Sequence, residues 1–166
     1  SEWLNKDYIA ELPTSARGCE CNFVYVEQPN KIRVCVNSVA LNKYISIDEA
    51  VFDSPMEIIA KISQHPFKFV SPIDAKAAYF TIPWNPRDGE FLYFIWRSKK
   101  YYFKRMPFGI NVAVNWFTGI MHKMLGHIEG VYVFFDNILI TGNSFEDHLN
   151  RCIEVMEIIN KYNMPI

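Results

Sequence analysis

Short apolar runs broken by Pro, Gly, Asn or Asp dominate the chain. Residues 22–37, NFVYVEQPNKIRVCVN, read as two strands joined at Gln28-Pro29-Asn30. Val34 and Val36 alternate with Arg33 and Cys35, the period of a half-buried strand. Residues 67–84, FKFVSPIDAKAAYFTIPW, predict a strand, a short turn and another strand, and residues 91–106 predict a hairpin. Residues 131–142, VYVFFDNILITG, predict two short strands meeting at Asp136-Asn137. Helical spacing interrupts these runs three times. Residues 54–64 place Met56, Ile59 and Ile62 on one face, behind a Ser54 cap with Glu57 three residues on. Residues 111–126 predict a second helix, stopped at Gly126. Residues 143–163 predict a third, capped by Asn143 or Ser144, with Leu149, Ile153, Met156 and Ile159 along one face. Residues 41–52 form a connector, and residues 1–21, with breakers Pro13 and Gly18, read as an extended arm. Hairpins and helices alternate without a repeat, which indicates an α+β fold.

Composition narrows this. Half of the 166 residues are hydrophobic and 16% are aromatic, enough for one core or two small lobes. No apolar run reaches the ~18 residues of a membrane span, so no membrane partner is expected. The start, SEWLNKDY, carries no signal-peptide pattern, and the chain reads as an excised piece. A net charge of −1 leaves no overall basic footprint for nucleic acid. Locally, residues 97–105, RSKKYYFKR, form a basic patch with interleaved aromatics, whose plainest reading is a solvated hairpin. Cys19 and Cys21 form a C-x-C without a matching second pair, which argues against zinc. Reduced thiols and an intracellular location, nucleus or cytoplasm, are the expectation.

Two acids sit in matching contexts. Asp74 ends an apolar strand, and Asp136 lies between two others. Two-metal phosphoryl transfer uses such carboxylates on adjacent strands to hold magnesium ions about 3.5–4 Å apart. A lone acid at a strand end is more often a turn former, so the acids alone do not decide the chemistry.

The ordered motifs do more. From about Val24 to Tyr162 the chain resembles the reverse transcriptase of gypsy-type long-terminal-repeat retrotransposons. KIRVCVNSVALNK resembles the fingers strand, K-x-R-x-C-V-D-x-x-x-L-N-K. SPIDAKAAYFTIP resembles the segment of the first catalytic Asp, D-L-x-x-G-Y-x-Q-I. KRMPFGINVAVNWF resembles M-P-F-G-L-x-N-A-P-x-x-F, and VYVFFDNILITGNSFEDHL resembles Y-x-D-D-I-L-I with its E-x-H-L helix. The resemblance implies the fingers and palm of a right-hand polymerase over residues 22–166, with an antiparallel palm sheet packed on helices and without thumb or RNase H. It implies Asp74 and Asp136 as magnesium ligands, Tyr79 as the aromatic screening the sugar 2′ position, and Lys31 and Arg33 as triphosphate contacts.

Departures from the family cluster at the site. Phe134 and Asn137 replace the Tyr and second Asp of Y-x-D-D. Ala78, Thr81, Val112 and Val114 replace a Gly, a Gln, an Asn and a Pro, and Asn37 replaces an Asp. Glu27 and Gln28 stand where basic residues precede the fingers turn, so an acid faces the triphosphate path. Core positions stay apolar while the catalytic layer erodes, the mark of a pseudoenzyme.

Function is argued from the site and not the fold. The leading expectation is a retrotransposon-derived, catalytically inactive domain that a host protein uses as a protein-interaction or dimerisation module, without a cofactor. The alternatives are a nucleic-acid-binding domain without catalysis, for RNA or DNA, and an active RNA-directed DNA polymerase fragment using magnesium. His148 reads as a packing or surface residue, and His122 and His127 as helix-end residues. Trp84, Trp96 and Trp116 could stack bases, though packing is the commoner use. Trp116 replaces a small family residue and would partly fill the cleft.

Overall fold

A computed structural model describes residues 2–29, 31–46, 53–85, 87 and 91–166, with Gln28, Lys31 and Arg33 in backbone only. The chain forms two compact units, residues 1–47 with 79–113, and residues 48–78 with 114–166.

The first unit contains α1 (Glu2–Asn5), β1 (Ile9–Leu12), β2 (Cys19–Glu20), β3 (Asn22–Gln28), β4 (Lys31–Asn37), α2 (Val39–Asn42), β6 (Leu92–Trp96) and β7 (Lys99–Phe103). One sheet has the order β1-β7-β6-β2, and β3 and β4 form a separate ribbon. The β6–β7 hairpin turns at Arg97 and Ser98, with φ of 49° and 61°. Two left-handed residues make the tight turn whose twist matches that of the flanking strands. Its core is aromatic: Tyr8 stacks on Phe80 at 4.5 Å, and Phe94 packs on Phe103 at 5.2 Å and on Phe23 at 4.9 Å.

Within the expected arm, residues 2–12 carry regular structure. Ile9 and Leu12 are buried, and β1 pairs antiparallel with β7 from Ile9↔Phe103 to Leu12↔Lys100. Burying those two side chains requires the backbone to pair, because unpaired buried amides are costly. Residues 78–81 are also not the expected second strand. They form a 3-10 turn, entered through Ala77 at φ 51° and closed by Ile82 N–H donating to the Tyr79 carbonyl at 3.0 Å. Just after the turn Pro83 forms an isolated bridge to Arg105, flanked by Trp84 N–H donating to the Lys104 carbonyl and Met106 N–H to the Ile82 carbonyl.

The second unit holds α3 (Pro55–Gln64), β5 (Phe69–Asp74), β8 (Val131–Phe134), β9 (Asn137–Gly142), α5 (Phe145–Lys161) and most of α4 (Asn111–Leu125). Its antiparallel sheet has the order β5-β9-β8, with β9 central. Pro72 falls on edge strand β5, where a missing N–H breaks no inner ladder. Ile138 and Ile140 of β9 are fully buried, as are Phe117, Met121 and Leu125 of α4 and Val155 and Ile159 of α5. The capping box of α3 is formed as expected, with Glu57 N–H on Ser54 Oγ and Ser54 N–H on the Glu57 carboxylate.

Two helix faces differ from the sequence expectation. On α3 the buried residue is Ile58, whereas Met56 and Ile59 are exposed. On α5 Ile159 is buried as expected, but His148 and Val155 are buried too, whereas Leu149 and Ile153 are exposed. Both helices carry apolar residues on more than one face, so spacing alone does not select which is covered.

Ser144 caps α5, its hydroxyl accepting from Asp147 N–H at 3.1 Å. Ser144→Ala is expected to cost about 1 kcal/mol, read as a lower urea midpoint at unchanged slope.

Among the described residues no helix is long and apolar enough to cross a membrane.

Candidate functional site

The β8–β9 hairpin and the end of β5 bring the two acids and the amide together. Asn137 opens β9 and pairs across the hairpin with Phe134, while on its other side its register partner is Asp74. Directly opposed residues lie about 4.5–5.5 Å apart at Cα and on the same sheet face. Ala75 N–H donates to the Asp136 carbonyl at 2.9 Å, extending this ladder by one step. Asp136 therefore sits beside the residue that follows Asp74. The two-residue turn is Phe135-Asp136, one position earlier than the sequence reading. Phe135 occupies φ 54°, an unusual conformation for an aromatic residue, and its ring packs on Phe134 at 4.3 Å.

The Asn137 amide nitrogen donates to Asp136 Oδ1 at 3.3 Å. This weak bond uses one lone pair of a carboxylate that would otherwise face a cation. Asp74 and Asn137 are exposed and Asp136 is half-buried. Among the described residues no three His, Cys, Asp or Glu side chains come together as a metal-ligand group. The acids stand as a pair with an amide beside them.

The remaining sequence-derived site residues belong to the first unit. Tyr79 lies on the 3-10 turn, its ring 5.0 Å from Phe108. Lys31 and Arg33 are backbone members of β4, and their side chains lie outside the described residues. Glu27 is exposed near the turn end of the β3–β4 ribbon.

The basic hairpin is partly neutralised, which the sequence reading missed. Lys99 pairs with Glu11 at 2.8 Å and Lys104 with Asp7 at 2.5 Å. Lys100 donates to the Ala16 carbonyl at 2.9 Å. The acids come from the segment that pairs with β7, and the alternation in YIAEL was the available signal. Arg97 lies 4.6 Å over the ring of Trp96. Trp116 is 59% exposed, so core packing is not its use. Cys19 is exposed while Cys21 is buried, and all four thiols are free.

Residues 27–166 match the reverse transcriptase (RNA-dependent DNA polymerase) family. The chain belongs to that family. It is 28% identical over 142 residues to the retrovirus-related Pol polyprotein from transposon gypsy of Drosophila melanogaster, covering 83% of this chain and 13% of that protein. It is 23% identical over 162 residues to the genome polyprotein of Petunia vein clearing virus, covering 95% of this chain and 7% of the polyprotein. The chain thus spans a small fraction of these relatives. In fold it is similar to a foamy viral protease-reverse transcriptase in complex with double-stranded DNA, with a TM-score of 0.90 at 20% identity, over 98% of this chain and 28% of that one. The architecture is the fingers and palm of a right-hand polymerase, with the β5-β9-β8 sheet as the palm sheet.

Reverse transcriptases of this family use magnesium. Magnesium keeps much of its water and binds proteins through one or two carboxylates plus substrate phosphates. Asp74 and Asp136 fit one ion held that way. The neutral Asn137 adds no third carboxylate to this pair.

Proposed function

We propose that this chain is a reverse transcriptase-fold domain that has lost polymerase catalysis and acts as a protein-interaction module. The observation that carries this reading is the register of Asn137. A neutral amide stands directly across from Asp74 and bonds to Asp136. In this reading the metal-binding chemistry is confined to Asp74 and Asp136, which would hold a magnesium ion. The ion, when bound, would neutralise charge on a nucleotide triphosphate. In this reading Tyr79, Lys31 and Arg33 are remnants of a nucleotide pocket, and Glu27 opposes anion approach.

Exposed apolar side chains support the binding half of the proposal. Phe145, Leu149 and Ile153 recur every four residues on α5 and are 63%, 44% and 48% exposed. Tyr25 and Ile32 on the β3–β4 ribbon are 67% and 63% exposed. Isolated apolar residues are normal on a surface, whereas contiguous stripes mark interaction faces. Asp7 and Glu11, by occupying Lys104 and Lys99, weaken the rival case for nucleic acid. Arg97 over Trp96 is the observation that keeps the nucleic-acid reading as a second one.

Primer extension in magnesium and in manganese, with Asp136→Ala beside the wild type, tests the loss of catalysis. No Asp136-dependent extension is expected. Extension by the wild type that Asp136→Ala abolishes would overturn the proposal. Binding of single-stranded RNA across a salt series separates the second reading, which requires affinity that falls steeply with salt.

A further inference from the structure

A second polar cluster lies where α5 crosses the palm sheet, and the polymerase reading does not use it. His148 is nine-tenths buried. Its Nε2 lies 2.9 Å from Ser71 Oγ and 3.6 Å from Cys152 Sγ. Its Nδ1 has no hydrogen-bond partner among the described residues. Ser71 reaches the ring from β5, Cys152 from one helical turn further along α5, and the Phe69 ring stacks on the imidazole at 6.1 Å. With the ring proton on Nδ1, Nε2 is the acceptor, and the hydroxyl and the thiol are the two donors facing it. A thiol within reach of an imidazole lone pair is the nucleophile–base arrangement of covalent chemistry.

The surroundings of the sulfur define what could reach it. Cys152 is half-exposed. At 3.6 residues per turn, Phe145, Leu149 and Met156 lie within about 60° of it around the helix axis. Phe145 and Leu149 are open to solvent and form an apolar wall beside the thiol. Such a wall suits an apolar carbon electrophile better than a charged one.

We propose that Cys152 is a covalent modification site for apolar α,β-unsaturated carbonyl compounds, with His148 as the proton acceptor. The sulfur lone pair forms the C–S bond at the β-carbon while the C=C π pair moves toward the α-carbon. The thiol proton passes to His148 Nε2 and from there to the α-carbon, which returns the ring to neutrality. No group leaves, and no oxidant or reductant is consumed.

N-ethylmaleimide, a compound of this class, gives the test on the folded protein, with adducts at each cysteine followed in time by peptide mass spectrometry. Cys19 is the internal reference: it is more exposed, and its thiol lies 4.0 Å from the Glu20 carbonyl. Cys21 stays silent, because burial, aided by the nearby Cys19, pushes its thiol up to about 12. Cys152 is expected to react about 10-fold faster than Cys19 in spite of its lower exposure. His148→Gln is expected to remove that advantage while leaving the Cys19 rate unchanged. Ser71→Ala leaves the thiol as the sole donor to Nε2, so its Cys152 rate does not fall. Cys152 reacting more slowly than Cys19, an unchanged rate in His148→Gln, or an equal fall in both variants would each overturn the assignment. The last outcome would mean that packing, and not proton transfer, sets the rate.

Discussion

Asn137→Asp is expected to tighten magnesium binding by about 10- to 100-fold, since the number of charged ligands tunes divalent-ion affinity over decades. The residue is the first of β9, its register partner is Asp74, and its amide donates to Asp136 Oδ1 at 3.3 Å. A carboxylate there turns that hydrogen bond into like-charge repulsion. In EDTA the variant is therefore expected to be less stable than the wild type, by about 1 kcal/mol or less because Asn137 faces solvent. Magnesium reverses the sign: an ion at 100 times its dissociation constant adds about 2.7 kcal/mol. The crossover is read from thermal midpoints in EDTA and in magnesium, with affinity measured by calorimetry. Asp74→Asn and Asp136→Asn in the Asn137→Asp background should each abolish it. If wild type and variant respond to magnesium identically, Asn137 is not what separates this site from a metal-binding one. Primer extension is a separate step, because the resemblance implies further departures at Glu27, Ala78, Val112 and Val114.

Four ordered motifs made the fold legible in the sequence, and the elements that carry them lie where they were expected except residues 78–81, which form a 3-10 turn in place of the expected strand. The site was legible only in part. Asp74, Asp136 and Asn137 do meet, since hydrophobic alternation fixes β5 against β9 and leaves these residues at the sheet's end. The turn was misplaced by one residue because Phe135 adopts a left-handed conformation that aromatics rarely take, where the chain offers Asp and Asn as obvious turn formers. The covered faces of α3 and α5 were misread for a different reason. Ile58 and Ile59 are adjacent, and on α5 Ile159 is buried as expected while Leu149 and Ile153 are exposed and Val155 is covered in their place, so spacing alone does not select the covered face and tertiary packing does. The salt bridges from Asp7 and Glu11 to the basic hairpin are long-range pairings, 97 and 88 residues apart in sequence; the alternation in YIAEL marks a strand but does not name its partner.

Gly109→Ala is expected to be the most damaging single substitution in the first unit. Gly109 sits at φ 111°, a conformation that side chains with a Cβ rarely adopt. A Cβ placed there would lie 2.1 Å from the Val36 carbonyl oxygen and 3.1 Å from its carbon. Neither atom can retreat cheaply. Val36 is buried, pairs with Phe23 across the β3–β4 ribbon, and donates its N–H to the Phe108 carbonyl at 2.8 Å. The Gly109 carbonyl in turn accepts from Ser38 Oγ and from Asn42 Nδ2, and Asn42 Oδ1 accepts from Asn111 N–H at 3.1 Å. The M-P-F-G segment is thus tied to the end of β4, the strand that carries Lys31 and Arg33, by contacts that need backbone against backbone. Strain and overlap together should cost about 4 kcal/mol or more, the range reserved for severe core lesions. Against a typical total of about 5–15 kcal/mol, a protein at the low end would be left within about 1 kcal/mol of unfolding. Urea unfolding of Gly109→Ala beside the wild type measures it. A loss within about 1 kcal/mol, the average for point substitutions, would mean that β4 and the segment after Met106 move apart freely and that their contact does not hold the fingers strand in place.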